Sequence, residues 1–447
     1  MVLEVKSLDL LSESLAKLEC SFSELPDFET DVDMEAMGQV LQRVAVKMQD
    51  NYPYTHPMYA GQMLKPPHPM ARLAYMLAMW INPNNHALDG GRASSAMEKE
   101  AVAQIADMFG WSDGHLGHLS SGGTMANLEA LWIADKLHPG KTIVASAQAH
   151  YTHSRITEVL KIPYKSVPVD ARARMDMNAL ESILTSEDVG TVVVTLGTTG
   201  TGSVDPLAEI IDLQKKHGFR IHIDSAYGGY FKLASNLDKD ALISYALMDH
   251  ADSIVVDPHK CGLQPYGCGC ILFKDPSVGR IYSHDSPYTY FTSDELHLGE
   301  ISLECSRAGA SAVALWATQQ LLPMEKGGVF AKDLEKSRAA AIKLHDLIEQ
   351  SPRERTVFAP QLDIVVWAAN ASKASEISRL SQQIFDDCAD KNLHLAVMKL
   401  PKELLQNYWP DVEFDEDMVS CLRSCLMKPE HLDWVDEIWR VYCSVRT

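Results

Sequence analysis

The chain has 447 residues, 46% of them hydrophobic and 22% charged, and its 40 Lys plus Arg against 60 Asp plus Glu give a formal charge of −20. These proportions are those of a globular protein and exclude a disordered chain, a collagen or a coiled-coil rod. The acidic surface argues against nucleic acid as a partner, because it repels phosphate backbones.

No apolar run reaches the roughly 18 residues of a membrane-spanning helix. The first twenty residues, MVLEVKSLDLLSESLAKLEC, carry acids where a signal peptide needs a basic start and an apolar core. No membrane partner is expected, and the reading is cytoplasmic. The nine cysteines are few, odd in number and mostly in apolar context, which suits reduced thiols.

Residues 1–60 read as an N-terminal helical segment, in which Glu35–Met48 (EAMGQVLQRVAVKM) spaces its apolar residues as a helix does. Residues 51–73 bring several prolines and predict an ordered loop rather than a helix. From about residue 90 to 275 short β-branched runs alternate with helical stretches. The expected helices are Ser94–Phe109, Met125–Lys136 and Pro206–His217. The expected strands are Thr142–Ala145, Thr191–Leu196, Phe219–Ile223, Ser253–Val256 and Cys270–Phe273. Alternation of this kind predicts an α/β fold with a mostly parallel sheet, here assigned to a large domain over 61–320. A long helix Val329–Gln350, a strand Leu362–Trp367, a helix Lys373–Lys391 and an apolar run His394–Met398 then predict a smaller α+β domain over 321–447.

In an open parallel sheet, ligands bind beyond the carboxyl ends of the strands. Thr142–Ala145 is followed by SAQAHYTHS with His150, and Thr191–Leu196 by GTTGTGSVD with Thr199. Phe219–Ile223 is followed by Asp224 and SAYGG, and Ser253–Val256 by Asp257-Pro258-His259-Lys260. Separately, Ser121-Gly122-Gly123-Thr124 opens a helix, whose free backbone N–H groups and Thr hydroxyl suit a phosphate. A phosphate cradle, an imidazole, a carboxylate and a lysine on one rim are the parts that pyridoxal phosphate chemistry needs. His115/His118 and His150/His153 repeat one spacing, but no third or fourth convergent ligand and no CxxC accompany them, so no metal is expected.

In order and spacing, SSGGTMANLEAL, SAQAHYTHS, GTTGTGSVD, HIDSAYGG and DPHKCGL resemble the motifs of the group II pyridoxal-phosphate amino-acid decarboxylases. The resemblance runs from about residue 50 to 320. It implies the fold type I, aspartate-aminotransferase-like architecture, pyridoxal 5'-phosphate as cofactor, a homodimer, and decarboxylation of an L-amino acid to its amine. By that resemblance Lys260 is the Schiff-base lysine, Asp224 the partner of the pyridine nitrogen, His150 the stacking ring and Ala226 the small residue beneath it. Gly122, Gly123 and Thr124 correspond to the phosphate turn, and Thr199, Asp257 and His259 to further cofactor contacts. A mobile-loop tyrosine, Tyr288 or Tyr290, is implied as proton donor. Tyr59, Ala60 and Gly61 resemble a pocket-lining loop, and Arg423 faces either a substrate carboxylate or an ordinary ion-pair partner. Two other readings stay open: a carbon–carbon lyase acting on a phosphorylated amino alcohol, and a non-catalytic binding protein. The presence of both Lys260 and Asp224 speaks against the second.

Overall fold

The structure, a computed structural model, describes residues 5–26, 30–283 and 296–446. The larger sheet is built from β1 (Leu116–Ser120), β2 (Thr142–Ser146), β3 (Tyr164–Val167), β4 (Val189–Thr195), β5 (Arg220–Asp224), β6 (Ser253–Val256) and β7 (Gly269–Phe273). Its strand order is β1-β7-β6-β5-β4-β2-β3. The pairs β2–β3, β2–β4, β4–β5 and β5–β6 are parallel, whereas β7 runs antiparallel to both neighbours. The mostly parallel α/β sheet expected from the alternation is therefore present.

The helices before and within this unit are α1 (Val5–Glu19), α2 (Met34–Met48), α3 (Pro69–Met79), α4 (Leu88–Phe109), α5 (Gly123–Leu137), α6 (Thr152–Leu160), α7 (Met177–Ser186), α8 (Leu207–His217), α9 (Lys239–Ala246), α10 (Gly279–Tyr282) and α11 (Gly309–Leu321). Strand period 2 divides β4 between two layers. Val192 and Val194 pack into the main core with Val102 and Ile105 of α4, while Val193 joins Leu131 of α5 and Ile156 of α6 on the opposite face. A strand covered on both faces reads as a continuous apolar run, which is why β4 is visible in the sequence. The strands β1 and β3 lie at the sheet edges and carry LGHLS and YKSV, so no run announces them.

One expectation needs correction. Residues 51–68 form the predicted loop, but Pro69 opens α3 instead of extending it. Proline is well placed at a first helical position, where its missing N–H is not needed. His68 Nδ1 accepts from Met70 N at 3.1 Å and completes the cap.

The C-terminal part holds α12 (Val329–Glu349), α13 (Ala374–Asp390), α14 (Lys402–Leu405) and α15 (His431–Val445) around an antiparallel sheet of β8 (Glu354–Thr356), β9 (Ile364–Ala369), β10 (Ala396–Pro401) and β11 (Met418–Cys425), in the order β10-β11-β9-β8. Val365, Trp367 and Leu422 face α12, α13 and α15, while Ile364, Val366 and Cys421 face the main core. Residues 58–61 are stitched into this part: Ala60 N donates to His394 O at 2.9 Å and Cys425 N donates to Ala60 O at 2.7 Å. A Cβ on Gly61 would lie 2.3 Å from Leu395 O, so the backbones meet there only because the residue is glycine. No described helix is long and apolar enough to cross a membrane.

Candidate active site

The carboxyl ends of β6, β5, β4 and β2 lie side by side, and the chain steps from β1 through α5 to β2 across the strands between them. That crossover opens a crevice at the strand ends. The crevice is a cavity of about 350 Å³ lined by Gly122, Gly123, Thr124, His150, Thr199, Asp224, Ala226, Asp257, His259 and Lys260. All ten residues the sequence named as cofactor contacts thus share one wall system.

The N-terminus of α5 forms one end. Gly122, its N-cap, has φ 154° and ψ 175°, a region that side-chain-bearing residues essentially avoid. Next to it, a Cβ on Gly123 would lie 2.7 Å from Asp257 Oδ2. No side chain caps the helix, so the N–H groups of Gly123, Thr124 and Met125 at the cavity wall keep their hydrogen-bonding capacity and the positive end of the helix dipole. Ser121 N donates to Glu304 Oε2 at 2.9 Å.

Asp224, the last residue of β5, occupies the floor. Its Oδ1 accepts from Ala226 N at 3.1 Å and its Oδ2 from His153 Nε2 at 2.8 Å. Burial pushes its carboxyl up, but the His153 hydrogen bond, the Ala226 amide and Lys260 outweigh burial and hold it far below the usual carboxylate range. Behind it, His222 Nε2 donates to Asn127 Oδ1 at 2.8 Å, and Asn127 Nδ2 donates to Gly123 O at 2.8 Å. Strand β5, through His222, and α5 are therefore joined by hydrogen bonds.

Lys260 and Asp257 follow β6. Lys260 Nζ donates to Asp257 Oδ2 at 3.0 Å. Burial pulls the lysine pKa down, yet the Asp257 and Asp224 carboxylates raise it above its ordinary value, so the amine rests protonated. His259 Nδ1 donates to Cys268 O at 2.8 Å, which orients its ring beside Gly122. His150 is bonded through Nδ1 to Thr152 Oγ1. Burial lowers the pKa of both rings, His150 and His259, and favours their neutral forms.

Some expectations are not met. Tyr59, Ala60 and Gly61 do not line the cavity; they are tied to the C-terminal sheet as described, and Tyr59 is buried against it. Arg423 on β11 makes no ion pair with a described carboxylate. Its guanidinium donates to Thr199 O at 3.0 Å and to Gln62 Oε1 at 2.6 Å, and its buried Nε has no partner. Tyr288 and Tyr290 lie outside the described residues. Among described residues, the one convergent cluster of metal-ligating groups is His345, Asp346 and Glu349, away from this cavity, with its two acids exposed.

Sequence reasoning missed Asn127, Thr152 and Thr195, all at the cavity wall, and weighed His153 only as a zinc ligand. Thr195 is the residue just after the alternating core of β4, and its position at a strand end was the available signal. For His153 there was none, because its partner lies 71 positions away.

The cavity fits pyridoxal phosphate. The uncapped helix end suits the phosphate, the ionised Asp224 suits a protonated ring nitrogen, and Lys260 suits the aldehyde. Thr195 Oγ1 and Asp257 Oδ1 are buried at the same wall without hydrogen-bond partners among the described residues, and a polar group would satisfy them.

Comparison with known proteins agrees. Residues 15–370 match the family model described as the pyridoxal-dependent decarboxylase conserved domain. The chain is 27% identical to the L-tyrosine decarboxylase of Enterococcus faecium over 439 residues, covering 73% of this chain and 71% of that protein. It is 30% identical to a probable L-tyrosine/L-aspartate decarboxylase of Methanoculleus marisnigri over 267 residues, covering 59% and 70%. Among solved structures, Oryza sativa TDC with PLP and tryptamine superposes with a TM-score of 0.78 at 15% identity, covering 99% of this chain and 97% of that one.

Proposed function

The chain belongs to the pyridoxal-dependent decarboxylase family and is a pyridoxal-phosphate-dependent carboxy-lyase, and we propose that it converts an L-amino acid to its amine and carbon dioxide with Lys260, Asp224, His150 and the α5 N-terminus as its working parts. The observation that carries this reading is their convergence on one cavity at the carboxyl ends of four adjacent strands.

When bound, the cofactor's ring accepts the electron pair of the bond to the departing carboxylate. The protein's own contribution is placement. The N–H groups of Gly123 and Thr124 would hold the phosphate at the positive helix end. Asp224, kept ionised, retains a proton on the ring nitrogen and so maintains the ring's electron demand. His150, neutral, would cover one ring face without adding charge, and Ala226 would leave room at the other. Asp257 holds the Lys260 amine protonated at rest. Arg423, whose Nη1 donates to the carbonyl of the cavity-lining Thr199, holds the loop against which a substrate carboxylate would rest.

The protein acts as a homodimer. Helix α2 has no buried residue, and Met37, Val40, Leu41, Val44 and Met48 form one apolar stripe at helical spacing. A second copy of the chain would cover that stripe.

Relatives named for tyrosine and for aspartate make these the first substrates to assay. Purified protein with added cofactor is incubated with each amino acid beside a Lys260→Ala control. Carbon dioxide release in the wild type and not in the control supports the reading. Aldehyde release from a phosphorylated amino alcohol, with no carbon dioxide from any amino acid, overturns it in favour of carbon–carbon lyase chemistry.

A further inference from the structure

We propose that His153 is a positioning residue of the reaction, its Nε2–H locking Asp224 Oδ2 so that the carboxylate keeps the orientation in which it meets the ring nitrogen. The inference rests on the proposed role of Asp224 and extends it to a residue that does not reach the cavity.

Four observations carry it. His153 is fully buried, and the His153–Asp224 contact is 2.8 Å. Among the described residues, His153 Nδ1 is buried without a hydrogen-bond partner. In a doubly protonated ring that atom would be an unsatisfied N–H donor, so the tautomer that fits carries its single proton on Nε2 and donates it to Asp224. The carboxylate then keeps its full negative charge for the cofactor. Position adds a third reason. His153 sits in the first turn of α6, one residue after Thr152 and three after His150, both at the cavity wall. One turn of chain therefore sets the residue over the ring and the residue behind its partner. Finally, His222 packs edge-on against His153 with ring centroids 6.5 Å apart, and is itself held by Ser253 and Asn127. The imidazole has little room to swing away. A histidine that merely filled the core would need none of this directionality.

The test uses wild type, His153→Phe, His153→Gln and Asp224→Asn, each reconstituted with cofactor labelled with ¹⁵N at the pyridine nitrogen. Phe keeps the ring's bulk and removes the donor; Gln restores an N–H near the Nε2 position. With Phe, the ring-nitrogen resonance is expected to move toward that of unprotonated pyridine. The cofactor dissociation constant is expected to rise about tenfold or more, the scale of one hydrogen bond to a charged group. Gln should recover most of both. If Asp224→Asn shifts the resonance and His153→Phe changes neither quantity, the role of His153 is refuted while that of Asp224 stands. If Asp224→Asn leaves the resonance unmoved, both fall. Should the Phe variant not fold, the wild type still decides: the His153 Nε2–H proton resonance must lie far downfield and shift on adding cofactor, and a signal indifferent to cofactor overturns the proposal.

Discussion

Gly122→Ala is the most exacting perturbation of the cradle. Gly122 holds φ 154° and ψ 175°, and a Cβ there would lie 3.3 Å from His259 Cε1. Holding a non-glycine residue in such a region costs about 1–3 kcal/mol. The chain can meet that cost in place or relieve it by rotating the turn, and rotation withdraws the Gly123 and Thr124 N–H groups from the phosphate position. Converted to affinity, the same range is roughly 5- to 150-fold. Gly140→Ala is the matched control: its φ is 73°, it has open space around it, and it lies far from the cavity. Apoprotein titrated with pyridoxal phosphate, followed by absorbance of the bound form, gives the dissociation constant, and thermal melts of the apoproteins give stability. The expected result is a Gly122→Ala protein that folds and binds cofactor at least fivefold more weakly, against a Gly140→Ala protein that loses stability alone. Equal cofactor affinity in wild type and Gly122→Ala would refute the assignment of this helix end as the phosphate site.

Other outcomes follow from the same geometry. Asp257→Asn removes the charge that keeps the buried Lys260 amine protonated, leaving burial to lower its pKa. The pH midpoint for borohydride-trapped attachment of cofactor to Lys260 should fall by about one pH unit or more, and an unmoved midpoint would show that Asp257 does not control the amine. Arg423→Lys should raise KM more than it lowers kcat, because a lysine cannot reproduce the forked contacts to Thr199 and Gln62; an unchanged KM would remove Arg423 from substrate binding. Leu41→Glu with Val44→Glu places charges on the exposed α2 stripe, where each buried aliphatic side chain would contribute about 1–2 kcal/mol to association. Sedimentation should show a wild-type dimer and a folded monomeric variant, and a monomeric wild type would rule out this interface.

Stability of the apoprotein should fall between pH 7 and pH 5. His222 and His431 are held by burial at about 3, below their usual 6.5, so unfolding takes up protons as the pH drops below 6.5 and stability is lost. Asp205 and Asp363, raised by burial to about 6, work oppositely over the same window, because the folded form binds their protons first. By linkage each histidine removes about 2 kcal/mol by pH 5 and each carboxyl returns roughly two thirds of that, so the four groups together lose about 1 kcal/mol. The other buried histidines with lowered pKa, among them His150 and His259, add to the loss. A urea midpoint higher at pH 5 than at pH 7 would contradict these environments.

By itself the sequence determined the parallel core of the large sheet and the residues at its rim. Strands such as β4 are buried on both faces, so from Thr191 to Thr195 β4 is unbroken Val and Thr, and a residue that follows such a strand is bound to emerge at one edge of the sheet. That is why Lys260, Asp224 and His150 could be named together, while the Gly122–Thr124 turn was found separately, as the opening of a helix. The edge strand β3 was illegible because its exposed positions carry Lys and Ser, and β1 because Gly117 and the buried His118, bonded to Glu129, interrupt its apolar run. The start of α3 was hidden because proline opens a helix as readily as it marks a loop. The pairing of His153 with Asp224 and the capture of Arg423 by Thr199 and Gln62 were decided by tertiary structure alone. Each joins residues far apart in the chain, and a hydrogen bond across a fold leaves no periodicity in either segment. Composition records which face of an element is buried; only the packed structure decides which polar atoms meet there.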